Sequence, residues 1–85
     1  MTWRLEWHER ALQDAERLDR RTRERIIASL ERLAETGHGD VIPLRGRERE
    51  WRLRVGQWRA LFTFDEANER IVVLRVLPRG RAYRR

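Results

Sequence analysis

The chain reads as an α+β protein: a small antiparallel β-sheet of about four strands with an N-terminal αα-hairpin packed on one face, all in one domain spanning residues 1–85. Three observations predict this. Apolar residues recur every second position up to Trp7 and at helical spacing from about Glu9. Gly56-Gln57 stands between two alternating runs, and Ile71 to Leu77 is the most continuously apolar stretch in the chain. Eighty-five residues suffice for one hydrophobic core, and neither a repeat nor a second domain is expected.

Trp3, Leu5 and Trp7 alternate with Arg4 and Glu6, the pattern of a strand with one buried face. Ala11, Leu12, Ala15 and Leu18 then mark a first helix. After Asp19, a favourable N-cap type, Ile26, Ile27, Leu30, Leu33 and Ala34 mark a second, ending at Gly37, which tolerates the left-handed conformation. So short a connection folds the helices back on one another. Gly37, Gly39, Pro43 and Gly46 predict a loop over residues 38–49, pinned to the core by Val41, Ile42 and Leu44. The run 71–77 is expected in the middle of the sheet, because a strand covered on both sides need not alternate. Pro78 ends it for want of a ladder donor, and a basic tail follows.

The hairpin over Trp51 to Arg59 organises the rest. Glycine first in a two-residue loop suits a type II′ turn, which requires positive φ there. In that register Val55 opposes Trp58 and Arg54 opposes Arg59. Trp51, Leu53, Val55, Trp58, Ala60, Phe62 and Phe64 then share an inward face, so these aromatics are core rather than stacking platforms. Arg52, Arg54, Arg59, Leu61 and Thr63 share the other. Like charges opposed across a ladder are unfavourable, so the arginines are best understood as an exposed surface that grips a polyanion.

Charge distribution agrees. All twenty basic residues are Arg, which genomic base composition alone can produce, but their placement is uneven. Residues 1–40 hold eight Arg against nine acids, whereas residues 41–85 hold twelve against five. Positive excess in the second half favours nucleic acid or an acidic protein as partner. A helix-turn-helix reading of the two helices fails, because Arg20, Arg21, Arg23, Arg25 and Arg32 are interleaved with Glu16, Asp19, Glu24, Glu31 and Glu35 at spacings that pair on a helix surface. Without Cys there is no disulfide framework, thiolate chemistry or Cys-based zinc site. His8 and His38 lack ligand partners at metal spacing, so no metal and no cofactor are expected. No apolar run approaches membrane-spanning length, and a cytoplasmic protein with no membrane partner is the expectation.

Nearly the whole chain resembles the RelE/ParE family of toxins from bacterial toxin-antitoxin pairs. The resemblance rests on the strand-helix-helix start, Pro43-Leu44-Arg45-Gly46, the run Trp51 to Arg59, the apolar last strand, and Arg79 followed by Tyr83. It implies a small antiparallel sheet with a packed αα-hairpin, a cognate antitoxin as partner, and one of two activities. RelE-like members are ribosome-dependent endoribonucleases that cut messenger RNA in the decoding site (the A site, beside 16S rRNA). ParE-like members poison DNA gyrase instead.

On the RelE pattern, Arg52 and Arg54 stand at two lysine positions, Arg59 and Arg79 at arginine positions and Tyr83 at the tyrosine, which makes these five the implied catalytic residues. Arg45 and Arg81 are the candidates for further RNA contact. The tail is shorter by a couple of residues between Arg79 and Tyr83, so Arg79 and Arg81 compete for one position. Attack of a ribose 2′-hydroxyl on its phosphate needs a proton acceptor, charge neutralisation and a leaving-group donor. Guanidinium forks suit the neutralisation. The implied roles put Arg59 and Arg54 on the phosphate, Arg79 near the leaving oxygen and Tyr83 on a base or beside the nucleophile. With a pKa of roughly 12.5 or more, arginine does not replace lysine as a base. Ile42 occupies the approximate place of a Glu used by some relatives. Either Arg52 acts by electrostatics while ribosomal groups or water take the proton, or the protein is a slow or inactive nuclease.

Overall fold

The computed structural model describes residues 2–81. The elements are β1 (Arg4–Trp7), α1 (Glu9–Glu16), α2 (Arg20–Thr36), β2 (Val41–Pro43), β3 (Trp51–Val55), β4 (Trp58–Asp65) and β5 (Arg70–Pro78), with a 3₁₀ turn at Glu66–Asn68. They build one sheet in the order β1-β5-β4-β3-β2. None of the described helices is long and apolar enough to cross a membrane.

Local chemistry sets the helix ends. His8 caps α1, its Nδ1 accepting the Arg10 N–H at 3.1 Å. Asp19 caps α2: one carboxylate oxygen accepts the Thr22 N–H and the other its hydroxyl. At the far end Gly37 takes φ +77° and donates its N–H to Leu33. Ala11, Ile26, Leu30, Leu33 and Ala34 pack on Leu53, Val55, Ala60, Phe62, Ile71, Val73 and Val76 to form the main core. Both helices therefore cover a single face. Trp51, Trp58 and Phe64 lie against this core as expected, and Phe62 and Phe64 meet edge to face with centroids 5.3 Å apart.

The sheet departs from expectation in two ways. It has five strands rather than about four, and it is mixed, because β1 runs parallel to β5 from Arg4↔Arg70 to Trp7↔Val73. Spacing reports which face a residue occupies but not which neighbour its backbone finds, so strand direction was not legible. The extra strand, β2, lies inside the expected loop and pairs Ile42 with Arg52. Its Pro43 is tolerated because an edge strand needs no outward donor.

Strand β5 lies between β1 and β4 and contributes to both faces. Ile71, Val73 and Val76 enter the main core, while Leu77 joins Leu44 and Leu61 in a second small cluster. Pairing with β4 steps from Phe62↔Val73 to Leu61↔Arg75, so Leu74 is bulged. Beyond Val73, β1 has ended and α1 takes over the exposed edge. Asp14 accepts the Val76 N–H at 2.9 Å and holds Arg75 through two bonds, of 2.8 and 3.1 Å.

Candidate nucleic-acid interface

The hairpin forms as predicted. Gly56 has φ +60°, Val55 pairs with Trp58, and Arg54 pairs with Arg59. A side chain at Gly56 would also meet Arg25 of α2, whose Nη1 would lie 2.9 Å from an added Cβ. Opposed residues share a face, so Ile42, Arg52 and Leu61 form one cross-strand row, and Arg54, Arg59 and Leu77 form the next. Both rows lie on the side away from the helices.

The three arginines have different surroundings. Arg54 is exposed, its Nε 2.5 Å from an Asp40 carboxylate oxygen, and its N–H donates to the Asp40 carbonyl. Arg52 is only 8% exposed and Arg59 only 6%, which corrects the expectation of a fully exposed basic surface. The reason is the Leu44, Leu61 and Leu77 cluster, which shares the arginine face and gives the guanidinium stems apolar surface to cover. Arg52 Nη1 stands 3.9 Å from the other Asp40 oxygen. Arg59 Nη1 donates to the carbonyls of Gly56 and Trp58, both at 2.9 Å. No ion pair reaches Arg59 among the described residues. The Nε atoms of Arg52 and Arg59 are buried without a hydrogen-bond partner there. One carboxylate thus serves two of the three guanidiniums, and the face keeps surplus positive charge.

The tail begins at the same turn. Arg79 donates its N–H to Gln57 at 2.8 Å, beside the carbonyls that hold Arg59, and Arg81 N–H turns back onto Pro78. Both residues are exposed. Arg45 is exposed directly after Leu44, which is anchored by its own N–H to Glu50 and by packing on Leu61 and Leu77. Tyr83 lies outside the described residues.

Asp40 was missed by sequence reasoning. Its only signal is its position as the last acid before β2, and no spacing rule joins it to Arg54 fourteen residues on. The leucine cluster has no local signal either, since alternation puts Leu61 beside arginines and Thr63, and Leu44 falls in a stretch rich in Gly and Pro. Among the described residues no three His, Cys, Asp or Glu side chains are grouped so as to hold a metal ion.

Comparison with known proteins gives a family and a set of folds. Residues 5–83 match the family model described as the ParE toxin of type II toxin-antitoxin system, parDE. No curated protein matches significantly. Among solved structures, the archaeal RelE–RelB complex from Pyrococcus horikoshii OT3 is 26% identical, covers 96% of this chain and 100% of that one, and superposes with a TM-score of 0.78. The toxin-antitoxin complex RelBE2 from Mycobacterium tuberculosis is 24% identical over 94% of both chains, with a TM-score of 0.81. A YoeB/ParE toxin from Agrobacterium tumefaciens is 23% identical over 88% of this chain and 96% of that one, with a TM-score of 0.74.

Proposed function

Because the chain belongs to the RelE/ParE family of type II toxin-antitoxin toxins, we propose that it is a ribosome-dependent endoribonuclease that cuts messenger RNA in the cytoplasm and is held inactive by a cognate antitoxin covering the arginine face. The observation that carries this is the opposed pair Arg54 and Arg59, with Arg52 beside them and a single carboxylate among the three. A surface that leaves cations short of counter-charge is suited to a phosphate-bearing ligand.

In the reaction the 2′-oxygen attacks the adjacent phosphorus, the bond to the 5′-oxygen breaks, and a cyclic phosphate and a free 5′-hydroxyl result. Arg54, exposed and able to present a planar fork, clamps the non-bridging oxygens. Arg59 is pre-ordered by two carbonyl contacts, so it contributes positive charge without having to be immobilised on binding. Arg52 adds to the same field. Arg79, tethered beside the turn, stands near the leaving oxygen, and Tyr83 stacks on a base. The 2′-hydroxyl proton goes to water or to a ribosomal group, since guanidinium cannot take it, and water beside Arg79 gives the leaving 5′-oxygen the proton that makes it a hydroxyl. Arg45 and Arg81 extend the contact along the strand.

A translation extract programmed with a defined message tests this. Cleavage at the A-site codon is expected from the wild type without antitoxin, and Arg54→Ala should lose at least about tenfold in rate, equivalent to about 1.4 kcal/mol of transition-state stabilisation. Absence of A-site cleavage by the wild type would refute it. One observation favours a second reading, ParE-like inhibition of DNA gyrase: among the described residues, the two arginine rows carry no Lys, His or Glu to take the 2′-hydroxyl proton. The two readings separate at Arg54→Ala, which keeps its toxicity and its block of supercoiling if gyrase is the target.

A further inference from the structure

Asp40 is the carboxylate that pairs with both Arg54 and Arg52. It lies just ahead of β2, where its carbonyl accepts the Arg54 N–H at 3.0 Å. Its backbone is therefore fixed by the sheet whatever its side chain does. Gly39 before it packs so closely that a Cβ there would come within 2.9 Å of Leu53 Cδ1. The side chain itself is 42% exposed, with one oxygen against Arg54 Nε and the other 3.9 Å from Arg52 Nη1. Two anionic oxygens facing two guanidiniums is also what the non-bridging oxygens of a phosphodiester would present.

Donor capacity exceeds what Asp40 supplies. Arg52 and Arg59 each keep a buried Nε–H without a partner among the described residues, and buried donors are rarely left so in a finished binding face. We propose that Asp40 is a built-in counter-anion: in the free protein its carboxylate occupies the place of the substrate phosphate against Arg54 and Arg52, and RNA binds by displacing it. The choice of RNA as the displacing ligand rests on the endoribonuclease reading above. Exchange of one anion for another leaves the local charge balance nearly unchanged, so an isolated phosphate or sulfate binds this site only weakly and fills it only at high concentration. A longer strand that also engages Arg45, Arg79 and Arg81 supplies the difference. Asp40 is thus a positioning residue, which keeps Arg54 and Arg52 ordered and makes the face selective for extended RNA over small anions.

The test is fluorescence anisotropy with a labelled single-stranded RNA carrying 2′-O-methyl groups, which block cleavage. Wild type, Asp40→Asn, Arg54→Ala and the double variant are compared. Asp40→Asn keeps the size and one acceptor oxygen, and a thermal melt checks its fold. It should bind about fivefold tighter at low salt, the upper range for loss of a solvent-exposed ion-pair competitor. The slope of log affinity against log salt should steepen by about 0.7, one more phosphate contact on a single strand. In the Arg54→Ala background the gain should largely disappear. Asp40→Asn binding no tighter than wild type overturns the inference, as does a gain undiminished without Arg54, or one seen with polyglutamate and not with RNA. Failure of the endoribonuclease reading looks different: RNA binding tightens as expected while the extract shows no cleavage.

Discussion

Arg54 and Arg59 face each other across a two-residue turn, yet one lies in solvent and the other against two carbonyls. Substitution therefore means different things at the two positions. Arg59→Ala removes the donor from Gly56 and Trp58 and the stem that covers the leucine cluster, so it should destabilise by about 2 kcal/mol. In a domain of this size that lowers the melting temperature by about 10 °C. Arg54→Ala loses an exposed ion pair and should stay within about 1 kcal/mol of wild type. Thermal melts of the two variants check this, and a loss of activity in Arg54→Ala at unchanged stability is the cleaner report on function. At this scale the sequence was informative about pairing but silent about burial. Alternation placed Arg52, Arg54 and Arg59 on one face correctly, whereas the depth of each depends on Leu44, which reaches the face from a loop.

The joint between α1 and β5 is the element on which the sheet's free edge depends. Burial alone would raise the Asp14 carboxyl, but hydrogen bonds from Arg75 and the Val76 N–H, aided by the charges of Arg75 and Arg10, hold it below the ordinary carboxylate range. A depressed folded pKa means that the contribution is complete above the unfolded value of roughly 3.9 and is lost as pH falls through the folded value. Asp14→Asn leaves the Arg75 charge, only 15% exposed, without its counter-ion and should cost about 3 kcal/mol at pH 7. Urea denaturation across pH 7 to about 3 should show the gap between variant and wild type narrowing below about pH 4. A gap that stays constant would mean that Asp14 acts through shape rather than charge. Nothing in the sequence pointed to this joint, because its partners lie 61 residues apart and the Leu74 bulge that orients them leaves no local signature. The helices themselves were legible, since Asp19, Gly37 and the apolar spacing all act within a few residues.

Across the whole molecule, the fold turns a charge imbalance along the chain into one across space. The charge-balanced helices of the first half cover one face of the sheet, and the surplus of the second half collects on the other face and at the hairpin turn. That polarity was readable from the halves of the sequence once the sheet was assumed, because a helix layer on one face leaves the other for the remaining charges. It has a consequence measurable without ribosome or antitoxin. Any anion that binds the folded face and not the unfolded chain raises the melting temperature, by RT ln(1 + [L]/Kd) in free energy. Sulfate, a doubly charged tetrahedral mimic of phosphate, should therefore stabilise wild type beyond chloride at equal ionic strength. Sulfate also strengthens apolar burial in any protein, so the informative quantity is the difference between wild type and Arg54→Ala, from which that general effect cancels. A site filled to about five times its Kd gives roughly 1 kcal/mol, or about 4 to 8 °C in a domain of this length. Asp40→Asn should enlarge the shift, because sulfate then meets no resident carboxylate. Equal shifts in wild type and Arg54→Ala would mean that the arginine face has no particular affinity for tetrahedral anions, and that its positive charge serves the acidic surface of a protein partner instead.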